Sequence, residues 1–98
     1  MPKSKFTPLG VPPAALEEGG TEILRVAVVN GGLQMSMVRA FDDPALWGLA
    51  ICDLTRHVAR IFARETEMTE DEVTAKIRHM FNAEMDMPTD PGTTQARN

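Results

Sequence analysis

The sequence predicts an α+β fold of β-β-α-α order, in which an antiparallel hairpin packs against two helices. Three observations predict it. Residues 22–30 and 33–39 have strand-like patterns on either side of an Asn-Gly-Gly turn. Residues 43–65 carry apolar side chains at helical spacing. A helix-start motif follows at Thr69.

The first strand is predicted from its β-branched residues, and the second from its alternation of apolar and polar side chains. Asn30-Gly31 and Gly31-Gly32 both tolerate the positive φ of a two-residue turn, so two registers remain open. The registers differ by two residues and therefore give the same faces. One face is uniformly apolar, and we expect it to lie on the long helix; it carries Leu24, Val26, Val28, Leu33, Met35 and Met37.

The long helix is predicted from apolar side chains at steps of three and four residues. Asp43 is suited to cap its N-terminus, and Pro44 fits the first position because its missing N–H is not needed there. The stripe consists of Leu46, Trp47, Ala50, Ile51, Leu54, Val58, Ile61 and Phe62.

A second helix is predicted from residue 70 to about residue 85. Thr69 and Glu72 have the spacing of a capping box, in which each side chain accepts from the other's backbone N–H. Three acidic residues in the first turn suit the positive end of the helix dipole. Met87-Pro88 ends the helix.

We divide the chain into a flexible arm over residues 1–20, a single α+β domain over 21–87 and a disordered tail over 88–98. The arm is rich in proline and glycine, and only its residues 14–18 have the composition of a helical turn. A single cysteine excludes an intramolecular disulfide.

The domain is small, and a lone hairpin has two bare edges. We therefore expect a homodimer in which edge pairing with a second copy gives a four-stranded sheet; the alternative is a monomer whose arm covers one edge. The net charge of −4 argues against nucleic acid as the main partner. The sequence contains no apolar run long enough for a membrane span and no signal peptide, so a cytoplasmic location is expected, and no cofactor is predicted.

Five polar residues on the outer face of the long helix are the candidate binding residues: Asp53, Arg56, His57, Arg60 and Arg64. Asp53 and His57 are four residues apart, as in the orienting half of a general base, but no nucleophile completes the arrangement. A metal site would need three or four converging ligands, and none is predicted.

The expected function is protein–protein association. The alternative is a nucleic-acid-associated regulator that uses the three arginines, with an enzyme that uses Asp53 and His57 ranked last. Against the nucleic-acid reading, the second helix opens with three carboxylates, which phosphates would repel.

The block from residue 21 to residue 86 resembles a family of small uncharacterised bacterial proteins. The turn Asn30-Gly31-Gly32, the segment from Asp43-Pro44 to Trp47-Gly48 and the helix with Asp53 and His57 carry the resemblance. The family is a domain of unknown function, so the resemblance implies no activity and no catalytic residues.

Overall fold

A computed structural model describes residues 5–89 and the backbone of residues 93–97. The elements in chain order are α1 (Pro13–Glu18), β1 (Leu24–Val29), β2 (Gly32–Val38), α2 (Ala45–Glu65), α3 (Glu70–Asp86) and β3 (Thr93–Arg97). The α+β class and the β-β-α-α order are confirmed. The helical turn predicted in the arm is also present, and it is followed by Gly19 at φ 83°.

The hairpin uses Asn30-Gly31 as its two-residue turn. Asn30 has φ 50° and Gly31 has φ 83°, the positive values that such a turn requires. Val28 lies opposite Leu33, and the antiparallel register continues to the pair Leu24 and Met37. This register selects one of the two open alternatives and confirms the predicted uniformly apolar face.

A third strand lies within the segment predicted to be a disordered tail. β3 runs parallel to β2, with Gln34 opposite Thr93, and the sheet order is β1-β2-β3. The sequence of this strand, TTQAR, is short and has only one apolar residue, and its pairing depends on an edge that is distant in the chain. Because β3 occupies that edge of β2, pairing of two copies through β1 would give six strands and not the expected four.

α3 begins at residue 70, as the sequence predicts, and α2 begins at Ala45, directly after the predicted start at Asp43-Pro44. The Asp43 carboxylate accepts a hydrogen bond from the Ala45 N–H at 2.9 Å, immediately before α2. At the start of α3, the Thr69 hydroxyl accepts from the Glu72 N–H at 3.1 Å, and the Glu72 carboxylate accepts from the Thr69 N–H at 3.2 Å. Both arms of the predicted capping box are therefore present.

The small core of the chain lies between α2 and α3. Ala59 is 1% exposed and Val73 is 4% exposed, and they are the only buried hydrophobic residues among those described. Ala59 is not a member of the apolar stripe predicted for α2, so the core lies beside that stripe.

The hairpin does not pack against the helices, which corrects the expected contact between its apolar face and α2. Among the described elements, contacts join β1 to β2, β2 to β3 and α2 to α3. Periodicity predicts that a face becomes buried, but the hydrophobic effect is not directional and does not specify which surface covers it. The resulting chain is open, with a radius of gyration of 15.7 Å, against about 13 Å for a compact domain of 100 residues.

None of the helices in the described part of the chain combines the length and the apolar character that crossing a membrane requires.

Candidate functional site

The five candidate binding residues all lie on α2 and are all exposed: Asp53, Arg56, His57, Arg60 and Arg64. Their spacing of three and four residues places them along one side of the helix, as expected. Within the described residues, the ion pairs join Arg25 to Glu22 and Arg39 to Asp42, so none of the five is neutralised by a neighbouring side chain.

The pKa of Arg56 is raised above its ordinary value. The neighbouring Cys52, one helical turn earlier, raises the pKa of the guanidinium, chiefly through a hydrogen bond and then through its charge, and Asp53 adds a smaller effect. Arg56 therefore stays a cation at every physiological pH. The charged side of α2 is a solvated surface that keeps its positive charge.

Asp53 and His57 share a side of α2, but the structure shows no hydrogen bond between them. Among the described residues, no three His, Cys, Asp or Glu side chains come close enough to hold a metal ion. The geometry thus brings together no set of acid, base and nucleophile around these two residues.

The apolar face of the hairpin is open to solvent, which the sequence did not anticipate. Exposure increases towards the turn: Leu24, Met35 and Met37 are half-buried, whereas Leu33 is 48% and Val28 is 73% exposed. A sheet face of six apolar residues is normally covered by another layer. Among the described elements, no helix or second sheet packs on this face, and residues of the arm border it along β1.

The helical pair exposes a second apolar surface. On α2, Leu54 is 55% exposed and Ile61 is 48% exposed, although both belong to the apolar stripe that was expected to be core. On α3, the exposed fraction of Met85 is 68%. The exposed large apolar side chains of the two helices are Leu46, Leu49, Ile51, Leu54, Ile61, Phe62, Met80, Phe81 and Met85.

The total accessible surface shows how much is left uncovered. The chain exposes 9023 Å². A folded monomer of its mass, 10.8 kDa, is expected to expose about 5,500 Å². The surplus of about 3,500 Å² counts polar and apolar atoms of the whole chain, and the exposed apolar side chains of the hairpin and the helices contribute to it.

The junction between the hairpin and α2 is held by two aromatic rings. Phe41, in the link, meets Trp47, in the first turn of α2, edge to face with their centroids 5.3 Å apart. Within the same link, Ala40 has φ 30°, an unusual value for a residue with a Cβ, and the Phe41 N–H donates to the Arg39 carbonyl. This packing fixes how the chain leaves the sheet.

A groove lies along β1, between that strand and the arm. Its volume is about 1310 Å³, and its walls include Phe6, Leu9 and Val11 from the arm and Leu24 and Val28 from the strand. The Arg25 guanidinium lies 5.5 Å from the centre of the Phe6 ring, which is a cation–π contact. This contact attaches the arm to the first strand.

Two of three comparisons relate the chain to known proteins. A family model described as "Domain of unknown function (DUF5076)" matches residues 8–89. Comparison with curated proteins gave no match. A solved structure named as that of a "putative pyruvate dehydrogenase", from the photosynthetic bacterium Rhodopseudomonas palustrus CGA009, is 45% identical to the chain, with a TM-score of 0.73 and coverage of 100% of both chains.

Proposed function

Because this chain belongs to the DUF5076 family, a family of unknown function, we propose a function from its surfaces: it is a cytoplasmic protein–protein interaction module that works as a homodimer. The observation that carries the proposal is the set of large apolar side chains that the described part of the chain leaves exposed. Much of the exposed apolar surface lies on regular elements, namely the hairpin and the two helices.

A single chain with this exposure lacks the apolar burial that offsets the conformational entropy of folding. Association of two copies supplies the missing burial and explains why so short a chain has so many large apolar side chains outside its core. The charged side of α2 stays in water in such a dimer. It is then free to bind an acidic surface of a further protein.

Native mass spectrometry of protein purified gently from its own cells tests the proposal. We expect a mass of twice the chain. We also expect the midpoint of thermal unfolding to rise with protein concentration, because association stabilises only the folded state. A folded single chain whose midpoint does not change over a dilution series would refute the homodimer. A single chain that carries another protein, a nucleotide or a metal would refute it as well and would identify the partner class.

The three exposed arginines support a second candidate, a nucleic-acid-associated regulator. Arg56, Arg60 and Arg64 have no ion-pair partner among the described residues and follow one another along the helix. The variant R60E should lower a salt-sensitive retention on nucleic acid if this candidate is correct, because fewer phosphate contacts release fewer counterions. R78E, at an exposed position of α3, is the matched control.

The name of the Rhodopseudomonas structure suggests a third candidate, a role in pyruvate oxidation. Among the described residues, the candidates for catalysis are Asp53 and His57, which lie exposed on α2. A pyruvate oxidation assay with the purified protein, wild type against H57A, tests it directly. Turnover that depends on His57 would replace the interaction module with an enzyme.

A further inference from the structure

We infer that the two copies exchange their hairpins: the apolar face of one hairpin covers the exposed apolar surface of the other copy's helices. This inference rests on the proposed homodimer and adds which surfaces meet. The hairpin surface is the face of Leu24, Val26, Val28, Leu33, Met35 and Met37. The helical surface is centred on Leu54 and Ile61 of α2.

The two surfaces have the character of two layers of one core. A sheet with one apolar face and a helix with an apolar stripe normally bury these faces against each other. Here the chain holds both surfaces without bringing them together. When a contact of this kind is not made within a chain, exchange of an identical element between two copies makes it in trans.

The link between β2 and α2 is the feature that keeps the surfaces apart within one copy. It spans only residues 39–44, and the edge-to-face contact of Phe41 with Trp47 determines its exit from the sheet. Ala40, with φ 30°, adds a local conformation that is unfavourable for a residue with a Cβ. A short, constrained link between exchangeable parts favours exchange.

The amount of surface fits an exchanged dimer better than a contact at one edge. Pairing through β1 alone would satisfy backbone groups but would leave the faces of the hairpin and the stripe of α2 exposed. In a reciprocal exchange each hairpin covers the helices of the other copy, so the apolar surfaces of both copies are covered. The most exposed pair on this face, Val28 and Leu33, lies at the turn end of the hairpin.

Crosslinking of two single-cysteine chains tests which surfaces meet. The native thiol is first removed with C52A, since Cys52 is exposed. One chain then carries V28C on the hairpin, and the other carries L54C on α2 and is labelled with ¹⁵N. The chains are mixed, unfolded, refolded and treated with a short bis-maleimide. Any V28C–L54C product joins two different copies by design.

We expect the mixed product to predominate over products that join two chains of the same kind. Predominant V28C–V28C links would show that the hairpins meet each other and would overturn the exchange. Predominant L54C–L54C links would show that the helices meet and would also overturn it. The wild-type mass in native spectrometry separately decides whether a dimer exists, so failure of the exchange differs from failure of the proposed function.

Charge insertion gives a second, independent readout. V28E and L54E should each convert the dimer into a monomer, because each places a carboxylate in the covered surface. Q34E is the control: Gln34 is an exposed residue on the opposite face of the same hairpin, and its substitution should leave the mass unchanged. If wild type and V28E are both dimers, the hairpin face is not the interface.

Discussion

The helical pair and the hairpin are both amphipathic, but they bury their apolar faces to different extents. The helices bury Ala59 and Val73 between them, so part of their apolar surface is satisfied within the chain. The hairpin has a complete backbone ladder and a uniform apolar face but buries no residue fully. The amphipathic pattern therefore determines which face of an element is apolar. Whether that face becomes buried depends on a covering surface elsewhere in the chain or on another copy.

The largest expected effect is on the helical side of this comparison. A59D places a carboxylate in the contact between α2 and α3 and should destabilise the fold by about 3–5 kcal/mol, the penalty of an uncompensated buried charge. Urea unfolding followed by circular dichroism measures it. A75D, at an exposed position of α3, bears only the helix-propensity penalty of less than about 1 kcal/mol. Equal effects of the two variants would show that Ala59 is not a core residue.

A somewhat smaller effect is expected at the turn of the hairpin. Gly31 has φ 83° and open space where a Cβ would lie, so G31A should cost about 1–2 kcal/mol through backbone conformation alone. G10A is matched to it, because Gly10 also has open space but no positive φ. In G31A, amide hydrogen exchange in the hairpin is compared with the unfolding midpoint of the helices. If the hairpin covers another copy's helices, the protection of the hairpin and the midpoint of the helices should both decrease.

The capping box should contribute about 1 kcal/mol to the helical pair. T69A removes the acceptor for the Glu72 N–H and should lower the free energy of unfolding by that amount. E72Q keeps an acceptor oxygen for the Thr69 N–H and should lose less. Thermal unfolding measures both. If E72Q lowers the free energy of unfolding as much as T69A does, the stabilisation comes from the negative charge at the helix N-terminus and not from the hydrogen bonds.

The smallest effect concerns the end of α3. The Glu84 carboxylate accepts from the Thr89 hydroxyl at 2.6 Å and from the Thr89 N–H at 2.8 Å, which lowers the pKa of Glu84 below its ordinary value of 4.5. Because the folded pKa is lowered, this stabilisation is present above pH 4.5 and is lost as the pH falls through the lower folded value.

The Thr89 amide resonance reports that titration. In the wild type, we expect its chemical shift to change with pH, with a midpoint below pH 4.5. In E84Q this change should be absent. A midpoint at or above pH 4.5 would mean that the two hydrogen bonds do not persist in solution. The test also shows whether the chain beyond α3 is held in place.

Local chemistry allowed the elements to be predicted, because the signals for them are short-range. Asn30-Gly31 specifies the turn, Asp43 marks the start of α2, and Thr69 with Glu72 marks the start of α3. β3 was missed because its pairing with β2 is a long-range event for which its own residues give little signal.

The uncovered surfaces were missed for a different reason. The stripe of α2 predicts that Leu54 and Ile61 become buried, and a single sequence cannot say whether the covering surface belongs to the same copy. The candidate residues of the charged side, by contrast, were placed correctly on an exposed helix face. The comparisons add a family and a relative of known structure, and they leave the role of that charged side to experiment.

The parallel pairing of β3 with β2 has a topological consequence. The chain leaves the sheet at the end of β2, passes through both helices and returns to lie beside the same strand, so the pairing closes a loop around the helical pair. This closure exists only in the folded state, where its entropic cost has to be offset by the strand pairing, and fraying of one strand opens it. Release of β3 would leave the helices tethered at one end only, which would allow two newly made chains to interlace before each loop closes.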